Sequence, residues 1–433
     1  MTLNKKNYLL TSLELTLYTL PLSFLIGSLI VNINVLIFII LGFYYLIKNK
    51  IKIDINLTNL SLLLFFLFTI LSSMMNIDII GIENFYKSIF LIKYFFLFIL
   101  IETLIYQRKV NIKILFNIFY FLAFFISLDL CLQFFSGENI LGYKPWEGRI
   151  TGIFEHEAVA GAYLQKVFLF SLISGFLITS KIKNKNIFLF FFISFFIIVF
   201  ASFIASNRIS FLIVISTLIF LIIFYRVFRM RLLAIFIILL PIFYSFYQSD
   251  DQINNRYQKF VNKIEKMSFF KIKKVTTGQA GIIVVKKEEP TLPNHGKIFL
   301  TSYKSFKDKM FFGNGLKSFR YNCKNYLKEK NTLCSTHSHN YHLEILHDTG
   351  IIGFIILSFF VLSLIFKKVK LLFSKELDSS QKIVLSLLLL NLLIELFPLK
   401  STGSIFTTWN GTLLWLSISL INYKNTYESN KKF

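Results

Sequence analysis

The sequence is poor in charged residues. They make up 16% of 433 positions, while hydrophobic residues make up 55%, and an average soluble domain is about 25% charged. The mean hydropathy is +0.64, and apolar runs of ~18 or more residues recur along nearly the whole chain. This pattern excludes an ordinary soluble globular protein. We predict an all-α polytopic protein of the lipid bilayer, because a helix satisfies its own backbone hydrogen bonds in lipid.

Acidic residues are scarce. The chain has 23 Asp and Glu against 47 Lys and Arg, a net charge of +24. Nucleic-acid binding is a common reason for such a charge. Here, however, the cations lie in short loops between apolar runs, as at 48–52 and 226–231, which is where the positive-inside rule places them. We therefore predict a membrane topology and no nucleic-acid partner.

The apolar segments predict about twelve transmembrane helices. With the N-terminus inside, the long polar segment 248–349 lies outside and is expected to contain short helices. The predicted organisation is nine spans in 1–247, a large outer loop at 248–349 before the tenth span, and three spans with a cytoplasmic tail in 350–433. The twelve segments are 9–29, 31–47, 57–75, 84–105, 112–135, 158–180, 187–204, 209–225, 232–247, 350–366, 381–398 and 404–422.

Cysteine is rare, with three in the chain. Cys131 lies inside an apolar run and is predicted to be a core residue. Cys323 and Cys334 flank a polar loop, and a disulfide can close that loop if it lies outside the cytoplasm. The sequence alone leaves the state of these two thiols open.

Histidine is also rare, and four of the six histidines fall in "CSTHSHNYHLEILHDTGIIG" (334–353). Their spacings of two, three and five suit a shared metal site poorly, so no metal is predicted. If 337–353 is helical, His339 and Gly350 differ by only ~20° around the axis and share a stripe. The glycines would then let another helix approach closely. Solvated histidines in an interfacial loop are the alternative. The predicted stripe is His339, His342, Leu346, Gly350 and Gly353.

Arginine is used sparingly, at eight positions, and four of these are predicted to lie outside. Arg208 in "ASNRIS" lies almost in the membrane plane, where ionisable groups usually serve a function or pair with a partner; snorkelling to lipid headgroups is the alternative. Guanidinium groups bind phosphate oxygens in pairs. Several arginines around one histidine suggest an anionic lipid headgroup, such as a diphosphate, beside a base. Lys87 and Lys93 could join this site, or could snorkel or bridge helices. The four outer arginines are Arg149, Arg208, Arg256 and Arg320.

These residues resemble the O-antigen ligase and polymerase superfamily of bacterial envelope glycosyltransferases. Its signature is a histidine followed by Asn, Ser or Gln, nine residues, a glycine, two residues, and Gly, Thr or Tyr. His339-Asn340, Gly350 and Gly353 match that spacing in full. "FFGNGLKSF" (311–319), with Gly313 and Gly315, is similar to the family's Gly-x-Gly turn.

Two further stretches resemble the family more loosely. "RITGIFEHEAVAGAYL" (149–164) is similar to an arginine–glycine–phenylalanine stretch before a middle span, but 155–157 read Glu-His-Glu where the family often has asparagine and proline. "SNRIS" (206–210) is similar to a Ser-Arg turn, with Asn207 in place of the serine. The resemblance covers most of the chain from the third span onwards.

The resemblance implies a multi-pass protein of the bacterial inner membrane whose large loop and active site face the periplasm. The reaction would be a metal-independent, inverting transfer of a glycan from undecaprenyl diphosphate, without a cofactor. His339 would be the general base, and Arg208 and Arg256 would hold the donor diphosphate, with Arg149 and Arg320 as further candidates. The acceptor would be lipid A–core in a ligase, or a lipid-linked repeat unit in a polymerase. The third hypothesis for the function is a lipid-glycan transporter.

Overall fold

The computed structural model describes residues 8–182, 184–205, 207–266 and 292–423. These residues fold into α-helices joined by loops and short 3-10 turns, and the β-structure among them is one isolated bridge between Trp146 and Arg149. The predicted all-α class is confirmed. The predicted cytoplasmic tail beyond residue 423 and loop residues 267–291 lie outside the described residues.

Most helices follow the predicted apolar segments, because they begin near a polar or glycine residue and continue through the apolar run. The predicted helix 84–105 is wrong as one element, since it is divided between Ile77–Phe90 and Lys93–Tyr106. Asn56, Asn111, Asn184 and Asp378 cap helix N-termini through their side-chain oxygens. The helices are α1 (Tyr8–Ile26), α2 (Ser28–Lys48), α3 (Leu57–Met75), α4 (Ile77–Phe90), α5 (Lys93–Tyr106), α6 (Ile112–Ser136), α7 (Ala160–Thr179), α8 (Lys185–Ile204), α9 (Arg208–Phe224), α10 (Arg226–Ser249), α11 (Asp251–Lys266), α12 (Asn294–Phe306), α13 (Phe319–Asn322), α14 (Tyr341–Phe373), α15 (Ser379–Glu395) and α16 (Thr408–Leu420).

Nine helical segments of the described chain are long and apolar enough to cross a membrane, with α4 and α5 counted together as Ile77–Tyr106. The other three predicted spans coincide with α9, α15 and α16, which have 17, 17 and 13 residues. A straight crossing of the hydrocarbon core needs about 20 residues. The structure therefore supports a multi-pass membrane protein with nine candidate spans and does not establish the predicted count of twelve.

Aromatic side chains join the helices into one core. The Trp415 ring of α16 lies 5.3 Å from Phe66 of α3, 6.3 Å from Tyr94 of α5 and 6.2 Å from Phe360 of α14, between ring centroids. Such offset and edge contacts are favourable beyond the area they bury. Trp415 thereby joins four helices, α3, α5, α14 and α16, in one aromatic cluster.

Gly350 divides α14 into two parts. Its φ of 66° is non-helical, so the amides that follow lose their partners within the helix. The Ile351 amide instead donates to the Met310 carbonyl at 2.8 Å, and the Ile352 amide donates to Phe311 at 3.4 Å. The kink therefore lies where the tenth span was predicted to begin, and a loop docks against it.

The predicted helical stripe through His339 is wrong. The helix begins at Tyr341, with Asn340 as its N-cap, and His339 has a left-handed φ of 53°. His339 therefore lies on a turn outside the helix that carries His342. The reason is that Asn340, as the N-cap, has extended backbone. The helix therefore cannot continue back through Asn340 to His339.

The glycines of the motif have different roles. A Cβ at Gly350 would lie 2.3 Å from the Phe311 carbonyl oxygen, so this glycine lets a loop pack against the chain. The prediction that another helix approaches at Gly350 is wrong. A Cβ at Gly353 would lie 3.2 Å from the Phe68 ring of α3. The close approach of another helix is therefore found at Gly353.

Candidate active site

Asn340 fixes the turn in front of α14. Its side-chain oxygen accepts a hydrogen bond from the Leu343 amide at 3.1 Å, and its Nδ2 donates to the carbonyls of Pro398 at 2.6 Å and Lys400 at 3.2 Å. The Thr402 amide donates to the His339 carbonyl at 2.8 Å. The loop after α15 is thus tied to both residues of the His-Asn pair, which explains how the left-handed backbone at His339 is maintained.

The His339 ring lies in a group of three imidazoles. Its centroid is 3.9 Å from that of His337 and 4.9 Å from that of His295, and its Nε2 is 3.1 Å from the Ser335 hydroxyl. Burial, followed by the charges of His337 and His295, lowers the pKa of His339 to about 4. The imidazole is therefore neutral at pH 7 and has one nitrogen lone pair available to accept a proton.

The other two histidines of the segment are structural. His342 Nε2 donates to the Leu396 carbonyl at 2.7 Å. His347 is fully buried, with Nδ1 2.8 Å from the Asp348 carboxylate and Nε2 3.0 Å from the Ser305 hydroxyl. Across the described residues, no group of three or more His, Cys, Asp or Glu side chains is arranged to hold a metal ion. The four neighbouring histidines therefore do not act as one site.

The Gly-x-Gly turn docks on the end of the histidine segment. Both glycines have left-handed φ, 76° at Gly313 and 85° at Gly315. The amides of Asn314 and Gly315 donate to the carbonyls of His347 and Asp348 at 2.9 and 3.0 Å. A Cβ at Gly313 would lie 2.4 Å from the backbone nitrogen of Gly350, so the two motifs recognised in sequence are in direct backbone contact.

A disulfide joins Cys323 and Cys334, whose Cα atoms are 5.1 Å apart. Cys323 is fully buried against Phe319 and Ile298. The bridge closes the polar loop immediately before His337, and so connects the Gly-x-Gly side of the segment to the histidine turn. Cys131 is a free, partly buried thiol that packs against the main core.

Three of the predicted arginines form one cluster. Arg208, the first residue of α9, donates from Nη1 to the Arg256 carbonyl of α11 at 3.2 Å, and Arg256 donates from Nη2 to the Glu147 carbonyl at 2.7 Å. Burial lowers the pKa of Arg256, and the charges of Arg149 and Arg208 lower it further. Guanidinium groups nevertheless stay charged. We call Arg149, Arg208 and Arg256 the arginine cluster.

The fourth predicted arginine has other neighbours. Arg320 lies on α13, close enough to His337 and Lys317 that its charge lowers the pKa of both, after burial as the first cause. Its Nε is buried and has no hydrogen-bond partner among the described residues. Arg320 is thus associated with the histidine turn through its charge.

A buried ion-pair network beneath the turn was not foreseen from the sequence. The Glu395 carboxylate of α15 contacts Lys166 Nζ of α7 at 2.5 Å and Lys400 Nζ at 2.8 Å, and all three side chains are less than a tenth exposed. Lys166 Nζ also lies 3.4 Å from the Tyr341 hydroxyl, next to Asn340. The signal was available, since Lys166 and Glu395 are charged residues inside predicted spans. His295 was likewise missed, because it is 42 residues before His337.

A family model described as O-antigen ligase matches residues 192–358. The match covers less than half of the chain and supports a relationship to the O-antigen ligase superfamily. The matched segment runs from α8 into α14 and contains Arg208, Arg256, Arg320 and His339, whereas Arg149 lies before it. The resemblance drawn from the His-Asn and glycine motifs is confirmed by this match. Among curated proteins, no sequence matches the chain.

Proposed function

We propose that this protein transfers a glycan from undecaprenyl diphosphate to an acceptor hydroxyl at the periplasmic face of the bacterial inner membrane. The observation that carries the proposal is His339, a neutral imidazole held in a left-handed turn by Asn340 and the Thr402 amide. The charge of Arg320 acts on His337, whose ring centroid lies 3.9 Å from that of His339. A non-glycine residue at positive φ costs free energy and is often found at functional sites.

In the proposed reaction His339 is the general base. The acceptor hydroxyl attacks the anomeric carbon and loses its proton to the unprotonated imidazole nitrogen, while the bond from that carbon to the diphosphate oxygen breaks. The products are the new glycosidic bond, undecaprenyl diphosphate and an imidazolium that returns its proton to water. One displacement at the anomeric carbon inverts its configuration.

The low pKa of His339 bears on this role. An imidazole with a pKa of about 4 is a weak base in the unliganded protein. A diphosphate bound nearby brings negative charge, and negative charge raises the pKa of an imidazole. The base would thus become stronger when the donor is bound. Ser335, at 3.1 Å from Nε2, fixes the plane of the ring.

The arginine cluster would stabilise the leaving group. Charge accumulates on the diphosphate as the glycosidic bond breaks, and preorganised guanidinium groups lower the energy of that state. Arg208 donates to the Arg256 carbonyl and Arg256 donates to the Glu147 carbonyl, so the positions of both guanidinium groups need little rearrangement on binding. In this proposal the arginines supply the charge stabilisation, and the transfer needs no metal ion.

For the acceptor we propose lipid A–core, which makes the protein a ligase of finished glycan. The single long polar segment before α14 favours this assignment. A polymerase that joins lipid-linked repeat units uses the same chemistry and is the alternative. The two activities leave different products behind when they are lost, so one experiment tests the chemistry and separates the two.

The test is complementation of a deletion strain with His339→Asn. Asparagine tolerates left-handed backbone and can still contact Ser335, so the variant removes the base with little strain. His156→Asn is the matched control, because His156 is an exposed histidine outside the turn. Membrane levels of wild type, variant and control are matched, and envelope glycolipids are separated on a gel.

We expect His156→Asn to give the wild-type ladder and His339→Asn to lack the long glycolipids. Accumulation of polymer on its lipid carrier would identify a ligase, and accumulation of single lipid-linked repeats would identify a polymerase. A normal ladder from His339→Asn at wild-type membrane level would refute the base assignment and favour a transporter.

A further inference from the structure

A second group of cations interacts with different residues from those that the arginine cluster contacts. Lys317 and Arg320 flank the start of α13, Lys87 lies near the end of α4, and Lys93 is the first residue of α5. Lys317 is within electrostatic range of Arg320, Lys87 and Lys93. We call these four residues the lysine cluster. Two segments distant in sequence, 87–93 and 317–320, therefore contribute positive charge to one region.

Specific contacts bring these segments together. The Leu316 amide donates to the Ser73 hydroxyl of α3 at 3.1 Å, and Asn84 Nδ2 of α4 donates to the Tyr321 hydroxyl at 3.4 Å. A Cβ at Gly315 would lie 3.0 Å from the Asn76 side chain, directly before α4. The segment 315–321 thus lies along α4. The lysine cluster is built by packing and is not a chance grouping of surface lysines.

The charge of this cluster is incompletely neutralised. Within the described residues, Lys317, Arg320 and Lys93 form no ion pair, and Lys87 has only an exposed contact with Glu83 at 3.7 Å. In the part of the chain that the structure describes, the buried Nε of Arg320 has no hydrogen-bond partner. Like charges held together in a partly buried place cost free energy, and anion binding is a common reason to retain them.

Two carboxylates offset part of this charge. Glu344 and Asp348 lie within electrostatic range of Lys317. Asp348 accepts hydrogen bonds from the Lys317 amide at 2.7 Å and contacts His347, and Glu344 accepts one from the Ile405 amide at 2.9 Å. With Lys87 assigned to Glu83, three cations face these two carboxylates. The region remains positive, and its carboxylates already have partners.

The neighbouring helix presents an apolar face. Ile82, Tyr86 and Phe90 are between 52% and 64% exposed and recur every four residues in the part of α4 that follows Gly81, whose φ of 75° interrupts the helix. This spacing is that of one helix face. Lipid-anchored molecules combine an apolar chain with a charged headgroup, and α4 with the lysine cluster offers the matching pair of surfaces.

The cluster adjoins the proposed base. The charge of Arg320 acts on His337, whose ring centroid is 3.9 Å from that of His339. An anion bound by Arg320 would therefore lie close to the pair of rings that contains the proposed base. The arginine cluster is a separate set of cations, and two sets of cations suit a reaction between two anionic lipids.

We propose that Lys317, Arg320, Lys87 and Lys93 bind a phosphate group of a lipid-anchored acceptor beside His339, while the arginine cluster binds the donor diphosphate. This inference rests on the proposed function and specifies its acceptor as an anionic lipid. The same cations could also bind the headgroup of an ordinary membrane phospholipid, so the experiment must distinguish these two sources of phosphate.

The test counts binding sites on the full chain purified in detergent, with radiolabelled farnesyl diphosphate as the probe. We expect two sites in the wild-type protein. Lys317→Gln/Arg320→Gln should lose one, and Arg208→Gln/Arg256→Gln should lose the other. Arg320→Lys retains the charge and should keep the second site with affinity reduced by no more than about tenfold. Circular dichroism and gel filtration establish that each variant is folded.

Competition with short-chain phosphatidylglycerol separates the two sources of phosphate. If this phospholipid displaces the probe from the second site as well as unlabelled farnesyl diphosphate does, the site binds membrane lipid and the acceptor assignment is refuted. One site in the wild-type protein, or two sites left in Lys317→Gln/Arg320→Gln, would also refute it. Binding does not depend on turnover, so a failure of the proposed base at His339 would appear in complementation and leave the binding result intact.

Discussion

Removal of the Glu395 carboxylate should destabilise the protein strongly. Glu395 lies 2.5 Å from Lys166 Nζ and 2.8 Å from Lys400 Nζ, and its side chain is 3% exposed. Glu395→Gln keeps the shape but leaves two buried ammonium groups without a counter-charge. Loss of one partner from a buried ion pair costs about 3–5 kcal/mol. We expect a loss of that size in the free energy of unfolding.

Lys166→Met is the matched variant. It removes one cation and leaves Glu395 paired with Lys400, so no buried charge is left uncompensated. We expect a smaller loss, about 1–2 kcal/mol, because methionine lacks the charged hydrogen bonds but also avoids the desolvation of an ammonium group. In the double variant Glu395→Gln/Lys166→Met, Lys400 is the one remaining cation of the network. Its free energy of unfolding should therefore recover in part relative to Glu395→Gln alone.

Unfolding in mixed detergent micelles, followed by circular dichroism, measures these differences. The order expected from high to low stability is wild type, Lys166→Met, the double variant and Glu395→Gln. The reasoning is refuted if Glu395→Gln loses less than about 1 kcal/mol, or if Lys166→Met is as damaging as Glu395→Gln. Either result would mean that water or a rearranged partner neutralises the network.

Three further predictions concern the turn and its supports. Gly350→Ala should lower the free energy of unfolding by more than about 2 kcal/mol, because the new Cβ combines left-handed backbone with a clash against the Phe311 carbonyl oxygen 2.3 Å away. Gly353→Ala should lower it less in the same assay, because its Cβ meets only side chains. The neutral form of His339 is favoured by folding, so its stability contribution is complete above the ordinary pKa of about 6.5 and is lost as the pH falls towards 4. The acid limb of kcat/KM should accordingly lie below pH 6.5, and that of kcat at higher pH because bound diphosphate raises the pKa; coincident limbs near 6.5 would contradict this. Joint replacement of Cys323 and Cys334 by serine should cost about 3 kcal/mol by the loop-entropy relation for a short loop, measured as faster proteolysis of 323–334, and unchanged proteolysis would mean that packing alone holds the loop.

The sequence by itself determined the class of the protein and the location of its helices. Continuous apolar runs demand helices in lipid, and their ends follow from local capping residues, so both properties are encoded within short windows of the chain. The motif from His339 to Gly353 indicated a resemblance to the O-antigen ligase superfamily for the same reason, and the family-model match supports it. Gly350 marks the start of the tenth predicted span because only a glycine suits its backbone there.

The tertiary structure alone decided how the site is assembled. His339 is in a turn and not on a helix because Asn340 and Thr402 link it to a loop about 60 residues later. Helical periodicity cannot predict a contact between residues so far apart in the chain. Arg320 is separated from the arginine cluster, and Lys166 meets Glu395 across 229 positions, because the packing of distant helices, and not spacing along the chain, sets which charges are neighbours.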